Sequence, residues 1–273
     1  MTDRKVLLGL IGSGIQRSLS PALHEEEGRH HGLRVHYQLI DVSGDVLEGL
    51  VSAARLMGFA GFNVTYPYKQ AVLPLLDELA QDAREMGAVN TVVREGDRLV
   101  GHNTDGSGWA WGFRRALPGA KLRRVVLLGA GGAGSAIAHA ALGLGVQKLL
   151  IFDRDAERAA ELAGALGGRA EATKNLERAM ADADGLIQAT PVGMEKSPGL
   201  PLDAKLLRPG LWVSEVVYVP LETELLKAAR RAGCATMDGG HMNVGQACRA
   251  FELFTGAKAD AARMDAHFRR LVA

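Results

Sequence analysis

The feature that most constrains this chain is a glycine-rich turn between an apolar segment and an alanine-rich one. Four glycines fall within the six residues Gly129-Ala130-Gly131-Gly132-Ala133-Gly134. The run 125–128 before them is predicted to be a buried strand, and 135–144 after them a helix. This order fits Gly-x-Gly-x-x-Gly, in which glycine permits a tight turn and lets backbone N–H groups approach a pyrophosphate at the helix N-terminus. The segment predicts a dinucleotide-binding unit, with a glycine-rich turn of some other α/β protein as the alternative.

Composition argues against nucleic acid and membranes as partners. The 273 residues allow one large domain or two modest ones, and 32 Lys and Arg against 31 Asp and Glu leave a net charge of +1. Such a balance lacks the basic surface that binds nucleic acid or anionic lipid. The segment 125–146 has no charged side chain, but its glycines speak against a spanning helix. Two cysteines and no secretion signal indicate a cytoplasmic protein.

Predicted strands and helices alternate along the chain, which indicates an α/β fold. In the first part, strands are predicted at 5–11, 35–41, 61–64, 88–94 and 98–102. Helices are predicted there at 20–32, where Ser20 can cap the N-terminus, at 45–57 and at about 67–86. In the second part, a parallel sheet covered on both faces is predicted from strands at 125–128, 146–152, 184–189, 211–217 and 235–237.

This alternation is expected to form two domains with a cleft between them. Residues 1–105 are predicted to be an α/β substrate-binding domain, and 106–242 a Rossmann-type, doubly wound parallel-sheet domain. The terminal helices of 243–273 are expected to return to the first domain. They carry two apolar stripes, formed by Ala247, Ala250, Phe251 and Phe254 and by Met264, Phe268 and Leu271.

The residues after the second strand of the Rossmann unit favour NAD over NADP. Asp153 stands 19 positions after Gly134 and can accept hydrogen bonds from the adenosine ribose hydroxyls, whereas it would repel a 2′-phosphate. Arg154 could bind that phosphate, but Asp155 adds a second negative charge. Asp153 could also serve as the N-terminal cap of the next helix, and the two roles can coexist.

Polar residues in the first part follow the predicted strands. They form the clusters Asn63-Val64-Thr65-Tyr66-Pro67-Tyr68-Lys69 and Gly101-His102-Asn103-Thr104-Asp105-Gly106, with Asn90 between them. If Pro67 begins a helix, Lys69 lies in its first turn, where the positive helix end and partial burial favour the neutral amine. Such a lysine can take a proton from an alcohol as hydride leaves, and Asp105 could orient it. A solvated helix lysine is the alternative.

Seven motifs in this order resemble the shikimate dehydrogenase family over nearly the whole chain. They are Ser18-Leu19-Ser20-Pro21-Ala22-Leu23-His24, Asn63–Lys69, Gly87-Ala88-Val89-Asn90-Thr91, Asn103-Thr104-Asp105, Gly129–Gly134, Val217-Tyr218-Val219-Pro220 and the run from Gly239 to Gln246. The resemblance implies a two-domain enzyme that interconverts a cyclic polyhydroxy carboxylate and its 3-keto form with a nicotinamide cofactor.

The same resemblance implies roles for individual residues. Lys69 and Asp105 are then the catalytic pair. The substrate residues are Ser18 and Ser20 at its carboxylate, Thr65, Asn90 and Gln246 at its carboxylate or ring hydroxyls, and Tyr218, which lies near the nicotinamide. The cofactor residues are Gly129, Ala130, Gly131, Gly132, Ala133, Gly134, Asp153, Arg154, Thr190, Val217 and Met242.

Departures from the family pattern bear on substrate and cofactor. Biosynthetic members commonly have Pro-Ile-x-His-Ser where this chain has Gly14-Ile15-Gln16-Arg17-Ser18, and Asn-Arg-Thr or Asn-Arg-Ser where it has Asp153-Arg154-Asp155. Gln188 replaces a usual Asn. The pattern resembles the NAD-dependent quinate/shikimate dehydrogenases, and the loop 17–20 is expected to set selectivity between the two acids. The alternatives are an NADP-dependent biosynthetic shikimate or aminoshikimate-type dehydrogenase and a non-catalytic sensor that binds NAD or a shikimate-like effector.

The expected partner is a small molecule: quinate, shikimate or their 3-dehydro forms, which would connect the chain to aromatic amino acid biosynthesis. No metal site is predicted, because the eight histidines are scattered and the neighbouring pair His30-His31 diverges on a helix. A monomer and a homodimer are both compatible with the sequence.

Overall fold

The computed structural model describes residues 4–273 and divides the chain into two compact units. Unit 1 comprises 4–104 and Gln246–Ala273, and unit 2 comprises Asp105–Gly245. The sequence places the junctions after residues 105 and 242, whereas this division places them after Thr104 and Gly245.

The strands of the described residues are numbered β1 to β12 in chain order. Their bounds are β1 Arg4–Gly12, β2 Leu33–Asp41, β3 Gly61–Val64, β4 Glu78–Leu79, β5 Thr91–Glu95, β6 Arg98–His102, β7 Arg124–Leu128, β8 Lys148–Phe152, β9 Ala170–Ala172, β10 Gly185–Gln188, β11 Trp212–Glu215 and β12 Ala235–Met237.

The α-helices of the same residues are numbered α1 to α10. Their bounds are α1 Ser20–His30, α2 Leu47–Leu56, α3 Gln81–Met86, α4 Asp105–Ala116, α5 Gly132–Gly143, α6 Ala156–Leu166, α7 Leu176–Met180, α8 Glu224–Arg231, α9 Gly239–Thr255 and α10 Ala261–Val272. Within residues 4–273, none of them combines the length and the hydropathy that a membrane crossing requires.

Unit 1 is built on a mixed sheet with the strand order β2-β1-β3-β5-β6-β4. β1 runs parallel to β2 and β3, whereas β5 is antiparallel to β3 and β6. The register pairs Ile11 with Val64, Asn63 with Thr91, and Thr91 with His102. The carboxyl ends of β1, β3 and β6 and the start of β5 therefore meet at one edge of the sheet.

Unit 2 is built on a parallel sheet with the strand order β12-β11-β10-β7-β8-β9. The side chains of β10 and β11 are buried throughout, and those of β7 and β8 nearly so, because helices cover both faces of such a sheet. The order reverses beside β7, which creates a crevice at the carboxyl ends of β7 and β10. The predicted α/β fold with a doubly wound Rossmann-type sheet is confirmed.

The predicted helix over 67–86 is wrong. Turns occupy the first part of this segment and are followed by a 3-10 helix at Leu73–Leu75, the two-residue strand β4, and α3. Pro74 disfavours helical backbone at the residue before it and lacks the N–H that a helix interior needs. The carboxylate of Asp77 also accepts a hydrogen bond from Leu99 N at 2.6 Å, which ties this segment to β6.

Smaller differences concern element ends and the terminal helix. β9 and α7 are absent from the sequence-based prediction, since both are too short to show a period. The predicted stripe of α10 holds for Met264 and Phe268, which are buried, but Leu271 is exposed. In unit 1, the buried carboxylate of Glu27 binds Arg263 through two nitrogens, at 2.7 and 2.9 Å, and so ties α10 to α1.

Candidate functional site

The first group of candidate residues lies at the sheet edge of unit 1 where β1, β3 and β6 end. Thr65 follows β3 and donates its backbone N–H to Ile11 O of β1 at 2.9 Å. Asn90 precedes β5 and donates its N–H to His102 O of β6 at 3.1 Å. The backbone of the sheet thus brings Thr65 and Asn90 to the same edge, as their positions after and before strands predict.

The loop that carries Ser18 and Ser20 connects β1 to α1 at this edge. The carboxylate of Asp41, the last residue of β2, accepts hydrogen bonds from Gly14 N at 2.7 Å and Ile15 N at 3.2 Å. The Ser18 hydroxyl donates to the Ser20 hydroxyl at 3.1 Å. Two half-buried hydroxyls therefore lie side by side. The loop before them is attached to β2 through the carboxylate of Asp41, a residue that the sequence did not single out.

Ser20 is not the cap of α1, contrary to the prediction. It is the first helical residue, and the cap position is taken by Leu19, whose side chain cannot accept a hydrogen bond. The backbone N–H of Ser20 instead donates to the Ser18 hydroxyl at 3.3 Å. Ser18 therefore supplies the acceptor for the start of this helix.

Lys69 lies on a turn and not in a helix. Its carbonyl oxygen accepts a hydrogen bond from Val89 N at 2.8 Å, which attaches the turn to the segment that leads into Asn90. Its side chain is half-buried. Because no helix begins at Pro67, the argument from a positive helix end does not apply to Lys69; its place at the polar edge of unit 1 follows from the strand end alone.

In unit 2, the glycine-rich turn joins β7 to α5 as predicted. Gly129 has a φ of +98°, and a Cβ built on Gly134 would lie 2.0 Å from Gly129 O. Any side chain at Gly134 would therefore collide with the backbone of the turn. A Cβ on Gly131 would meet nothing within 4 Å, so the start of α5 stays open to a ligand. The turn has the shape that a pyrophosphate requires.

Asp153 is attached to this turn. One carboxylate oxygen accepts a hydrogen bond from Ala130 N at 2.7 Å, and the other accepts one from Asp155 N at 3.0 Å. Asp155, not Asp153, caps α6, since its side chain accepts from Glu157 N and Arg158 N. Arg154 between them is exposed. The half-buried Asp153 thus places a negative charge beside the glycine-rich turn.

Gln188 is fully buried at the end of β10 and shapes the loop that carries Thr190. Its amide nitrogen donates to the Thr190 hydroxyl and to Val192 O, both at 2.8 Å, while its oxygen accepts from Thr190 N at 3.1 Å. Where the family usually has Asn, Gln188 thus binds both Thr190 and Val192 and fixes the shape of this loop.

Glu215, which the sequence did not indicate, has the corresponding place on the neighbouring strand β11. It lies opposite Gln188 in the sheet and is fully buried. Its carboxylate accepts hydrogen bonds from Val216 N at 2.8 Å, Val217 N at 3.0 Å and the Thr223 hydroxyl at 3.0 Å. Burial raises the pKa of Glu215 to about 7. The only signal in the sequence is an acid at the end of an apolar strand.

The raised pKa of Glu215 predicts a stability that falls as the pH rises from about 4.5 to 7. In that range the folded chain holds a proton that the unfolded chain has released, so unfolding is favoured progressively. The shift from 4.5 to about 7 corresponds to about 3 kcal/mol. The unfolding free energy of Glu215→Gln minus that of the unmodified protein should therefore be about 3 kcal/mol larger at pH 8 than at pH 4. Urea unfolding of the two proteins at both pH values measures it.

Glu161→Gln, which removes an exposed carboxyl of α6, is the control for this comparison. Its unfolding free energy should differ from that of the unmodified protein by a small and pH-independent amount. A Glu215→Gln difference that is the same at pH 4 and pH 8 would contradict the assigned titration.

The remaining candidates divide between the units as follows. Gln246 lies in the part of α9 that belongs to unit 1. In unit 2, Asp105 is buried as the first residue of α4, where the helix N-terminus favours its negative charge. Burial raises the pKa of Tyr218 although Asn243 donates to its oxygen. Met242 and Val217 are also buried.

Residues 4–273 contain no group of three or more His, Cys, Asp or Glu that could hold a metal ion.

Two family models match the chain in succession. The one described as Shikimate dehydrogenase substrate binding domain matches residues 10–92, and the one described as Shikimate / quinate 5-dehydrogenase matches residues 113–194. The first match includes Ser18, Thr65, Lys69 and Asn90 of unit 1, and the second includes the glycine-rich turn of unit 2.

Among similar proteins, some are named for NADP(+) and others for NAD(+). A shikimate dehydrogenase (NADP(+)) of Streptomyces avermitilis is 56% identical, over 99% of this chain and 97% of its own. A quinate/shikimate dehydrogenase (NAD(+)) of Corynebacterium glutamicum is 48% identical, over 97% of this chain and 99% of its own. Among solved structures, quinate dehydrogenase from Corynebacterium glutamicum in complex with NAD has a TM-score of 0.94 and 46% identity, and it covers 98% of this chain and 100% of its own.

Proposed function

Because the chain belongs to the shikimate dehydrogenase family, we propose that it interconverts quinate or shikimate and the corresponding 3-dehydro acid, with NAD as hydride carrier. The observation that carries this proposal is that one chain contains both a dinucleotide-type turn and a group of polar side chains at a sheet edge. Unit 2 presents a glycine-rich turn shaped for a pyrophosphate, and unit 1 presents hydroxyls, an amide and a lysine suited to a small polyol acid.

The residues of unit 2 fit a dinucleotide. Gly134 lets the turn pack against the start of α5, and the open position at Gly131 leaves the first backbone N–H groups of α5 available to a pyrophosphate. Thr190 and Val217, held by Gln188 and Glu215, would flank the nicotinamide, with Tyr218 and Met242 next to them. The bound nicotinamide supplies the hydride acceptor in oxidation and the hydride donor in reduction.

Lys69 moves the proton. In oxidation the hydrogen bonded to C3 would leave as hydride, and the neutral Lys69 amine would take the proton of the C3 hydroxyl and become ammonium. In reduction the ammonium returns that proton to the ketone oxygen. Asp105, the second member of the proposed catalytic pair, accepts a hydrogen bond from a substrate hydroxyl. Ser18 and Ser20 bind the substrate carboxylate, and Thr65, Asn90, Gln246 and Tyr218 bind the carboxylate or the ring hydroxyls.

Asp153 supports NAD as the cofactor. Its carboxylate is anchored to Ala130 N, beside the turn, so it cannot swing away to admit a 2′-phosphate without losing that hydrogen bond. Like charges brought together in a binding site cost several kcal/mol. Arg154 is the cation closest in sequence, and carboxylates precede and follow it. The name of the Streptomyces avermitilis relative is the observation that favours the NADP-dependent alternative.

The purified protein should oxidise quinate or shikimate with a kcat/KM for NAD that exceeds the value for NADP by at least about tenfold. Asp153→Asn keeps an acceptor for Ala130 N but removes the charge, so it should narrow the ratio, mainly through a lower KM for NADP. Steady-state assays with both acids and both cofactors measure this. Arg154→Ala is the matched control: if NAD is the cofactor, its kcat/KM for NAD stays within about twofold.

The outcomes separate the alternatives. A preference for NADP that Arg154→Ala abolishes would establish the NADP-dependent enzyme and refute the role of Asp153. Binding of NAD or of the acids without turnover would establish a sensor and refute the enzyme.

A further inference from the structure

A chain of buried hydrogen bonds runs through unit 1 to Asn90. It begins at Tyr37 of β2, which is 4% exposed and donates its hydroxyl to Asn63 Oδ1 at 2.7 Å. Asn63 of β3 donates its amide nitrogen to Asn90 O at 3.0 Å and to the Thr91 hydroxyl at 2.9 Å. The Thr91 hydroxyl lies 2.9 Å from Asn90 Oδ1. All four residues are buried, so water cannot take the place of a missing partner.

This chain has one direction of donation. The Asn63 amide nitrogen faces a backbone carbonyl, Asn90 O, which can only accept, and so the Asn63 oxygen faces Tyr37, which must donate. The Thr91 hydroxyl accepts from Asn63 and has a single hydrogen, for which Asn90 Oδ1 at 2.9 Å is a nearer acceptor than the Thr104 hydroxyl at 3.3 Å. The carbonyl of Asn90 therefore sets the orientation of the Asn63 amide, and Tyr37 supplies the donor that the Asn63 oxygen needs.

Asn90 receives the chain with its amide in one orientation. Its oxygen accepts from Thr91 and from the backbone N–H of Thr104 at 2.8 Å, and its nitrogen donates to the Thr104 hydroxyl at 3.0 Å. A flipped amide would place its NH2 group against the N–H of Thr104. The backbone N–H of Thr104 thus fixes which end of the Asn90 amide accepts, and the hydrogen bonds from Asn63 and Thr91 hold the residue in place.

Tyr37 is itself held in place by a ring contact. The imidazole of His24 stacks on the Tyr37 ring with 4.9 Å between ring centroids and 23° between the planes. Burial lowers the pKa of His24 to about 3, so the ring stays neutral at ordinary pH. The neutral His24 ring therefore holds the Tyr37 ring by stacking, and the Tyr37 hydroxyl donates to Asn63.

We propose that Tyr37 is a positioning residue for substrate recognition. It anchors the oxygen of Asn63, whose amide nitrogen binds the Asn90 carbonyl and the Thr91 hydroxyl, and so keeps Asn90 in the place from which it binds a substrate oxygen. This rests on the proposed function, in which Asn90 binds the polyol acid. In Tyr37→Phe, Asn63 Oδ1 loses its donor in a buried site, so the Asn63 side chain, and with it the contact to Asn90, is no longer held in one place. The dissociation constant of the acid rises about tenfold, and that of NAD stays unchanged.

A double-mutant cycle measured by calorimetric titration tests this without depending on turnover. The probes are shikimate and quinate, titrated into the full-length protein in the presence of NAD. Tyr37→Phe should raise the dissociation constant of the acid about tenfold in the otherwise unmodified protein and less than twofold in the Asn90→Ala background. Equal factors in both backgrounds would overturn the proposal, because Tyr37 would then act independently of Asn90.

Thr255→Val provides a matched control within unit 1. The buried Thr255 hydroxyl donates to Phe251 O at 2.7 Å and takes part in none of the hydrogen bonds of the Asn90 network, so its loss should lower the melting temperature without changing acid binding. If Thr255→Val weakens acid binding as much as Tyr37→Phe does, a general loss of stability explains both and the proposal fails.

Thr91→Val keeps the proposal testable if Tyr37→Phe does not fold. It interrupts the same chain with a side chain of nearly equal volume and should show the same dependence on Asn90. An Asn90→Ala variant that binds the acids normally overturns the role of Asn90 and this inference with it. Protein that binds the acids and shows the expected coupling, but turns over neither, supports the inference while the proposed enzymatic function fails.

Discussion

Replacing Lys69 with methionine should lower kcat by about 10³-fold, since proton transfer by a positioned side chain contributes roughly 10² to 10⁴. Methionine keeps most of the length and the apolar stem of lysine, but it has no amine to take the hydroxyl proton. Lys69 lies on a turn whose backbone is tied to Val89, so the substitution should leave the polar edge of unit 1 in place. Steady-state oxidation of quinate and shikimate gives kcat, and calorimetric titration should show that both acids still bind.

Lys258→Met is the control for a lysine lost from unit 1. Lys258 is exposed, and kcat should stay within about twofold of the unmodified value. A Lys69→Met protein that retains a tenth or more of kcat would show that another group transfers the proton. If Lys69→Met instead loses acid binding with little change in kcat, the lysine binds substrate and does not carry the proton.

Gly134→Ala should abolish cofactor binding and destabilise unit 2. The added Cβ would lie 2.0 Å from Gly129 O, and this backbone atom can move away only if the turn between β7 and α5 changes shape. Overpacking of this kind costs about 1 to 3 kcal/mol of stability. Because the same turn is shaped for the pyrophosphate, we expect the dissociation constant of NAD to rise at least about 100-fold. Thermal unfolding and a fluorescence titration with NAD measure the two effects.

Gly164→Ala is the matched control, because Gly164 is an exposed glycine inside α6 and a Cβ there would meet nothing within 4 Å. Alanine is favoured over glycine in a helix by roughly 0.5 to 1 kcal/mol, so this variant should be as stable as the unmodified protein or slightly more stable. Its affinity for NAD should be unchanged. Wild-type NAD affinity in Gly134→Ala would show that the dinucleotide does not use this turn.

Much of the fold could be predicted because its signals are local. The strands Gly61–Val64, Arg98–His102 and Ala235–Met237 have the predicted ends, while β7 differs from its prediction by one residue at one end and β10 by one residue at each end. In unit 2, apolar runs between turn residues suffice for this prediction, since a strand buried in a parallel sheet is apolar on both faces. In unit 1, the turn residues that bound each short run mark its ends. The segment 67–86 failed because its apolar spacing imitates a helix, whereas Pro74 and the bond from Leu99 N to Asp77 favour turns.

The candidate site divides in the same way. The sequence by itself determined the glycine-rich turn and marked Asp153 and the polar residues at strand ends as candidates, because each shows as a residue type at a short, fixed spacing. It predicted Lys69 as catalytic only through the order of motifs that resembles the family. Only the tertiary structure decided that Asp153 holds Ala130, that Gln188 and Glu215 lie side by side, and that Tyr37 connects to Asn90. These contacts join residues far apart along the chain. They depend on strand order and register, which local patterns do not encode.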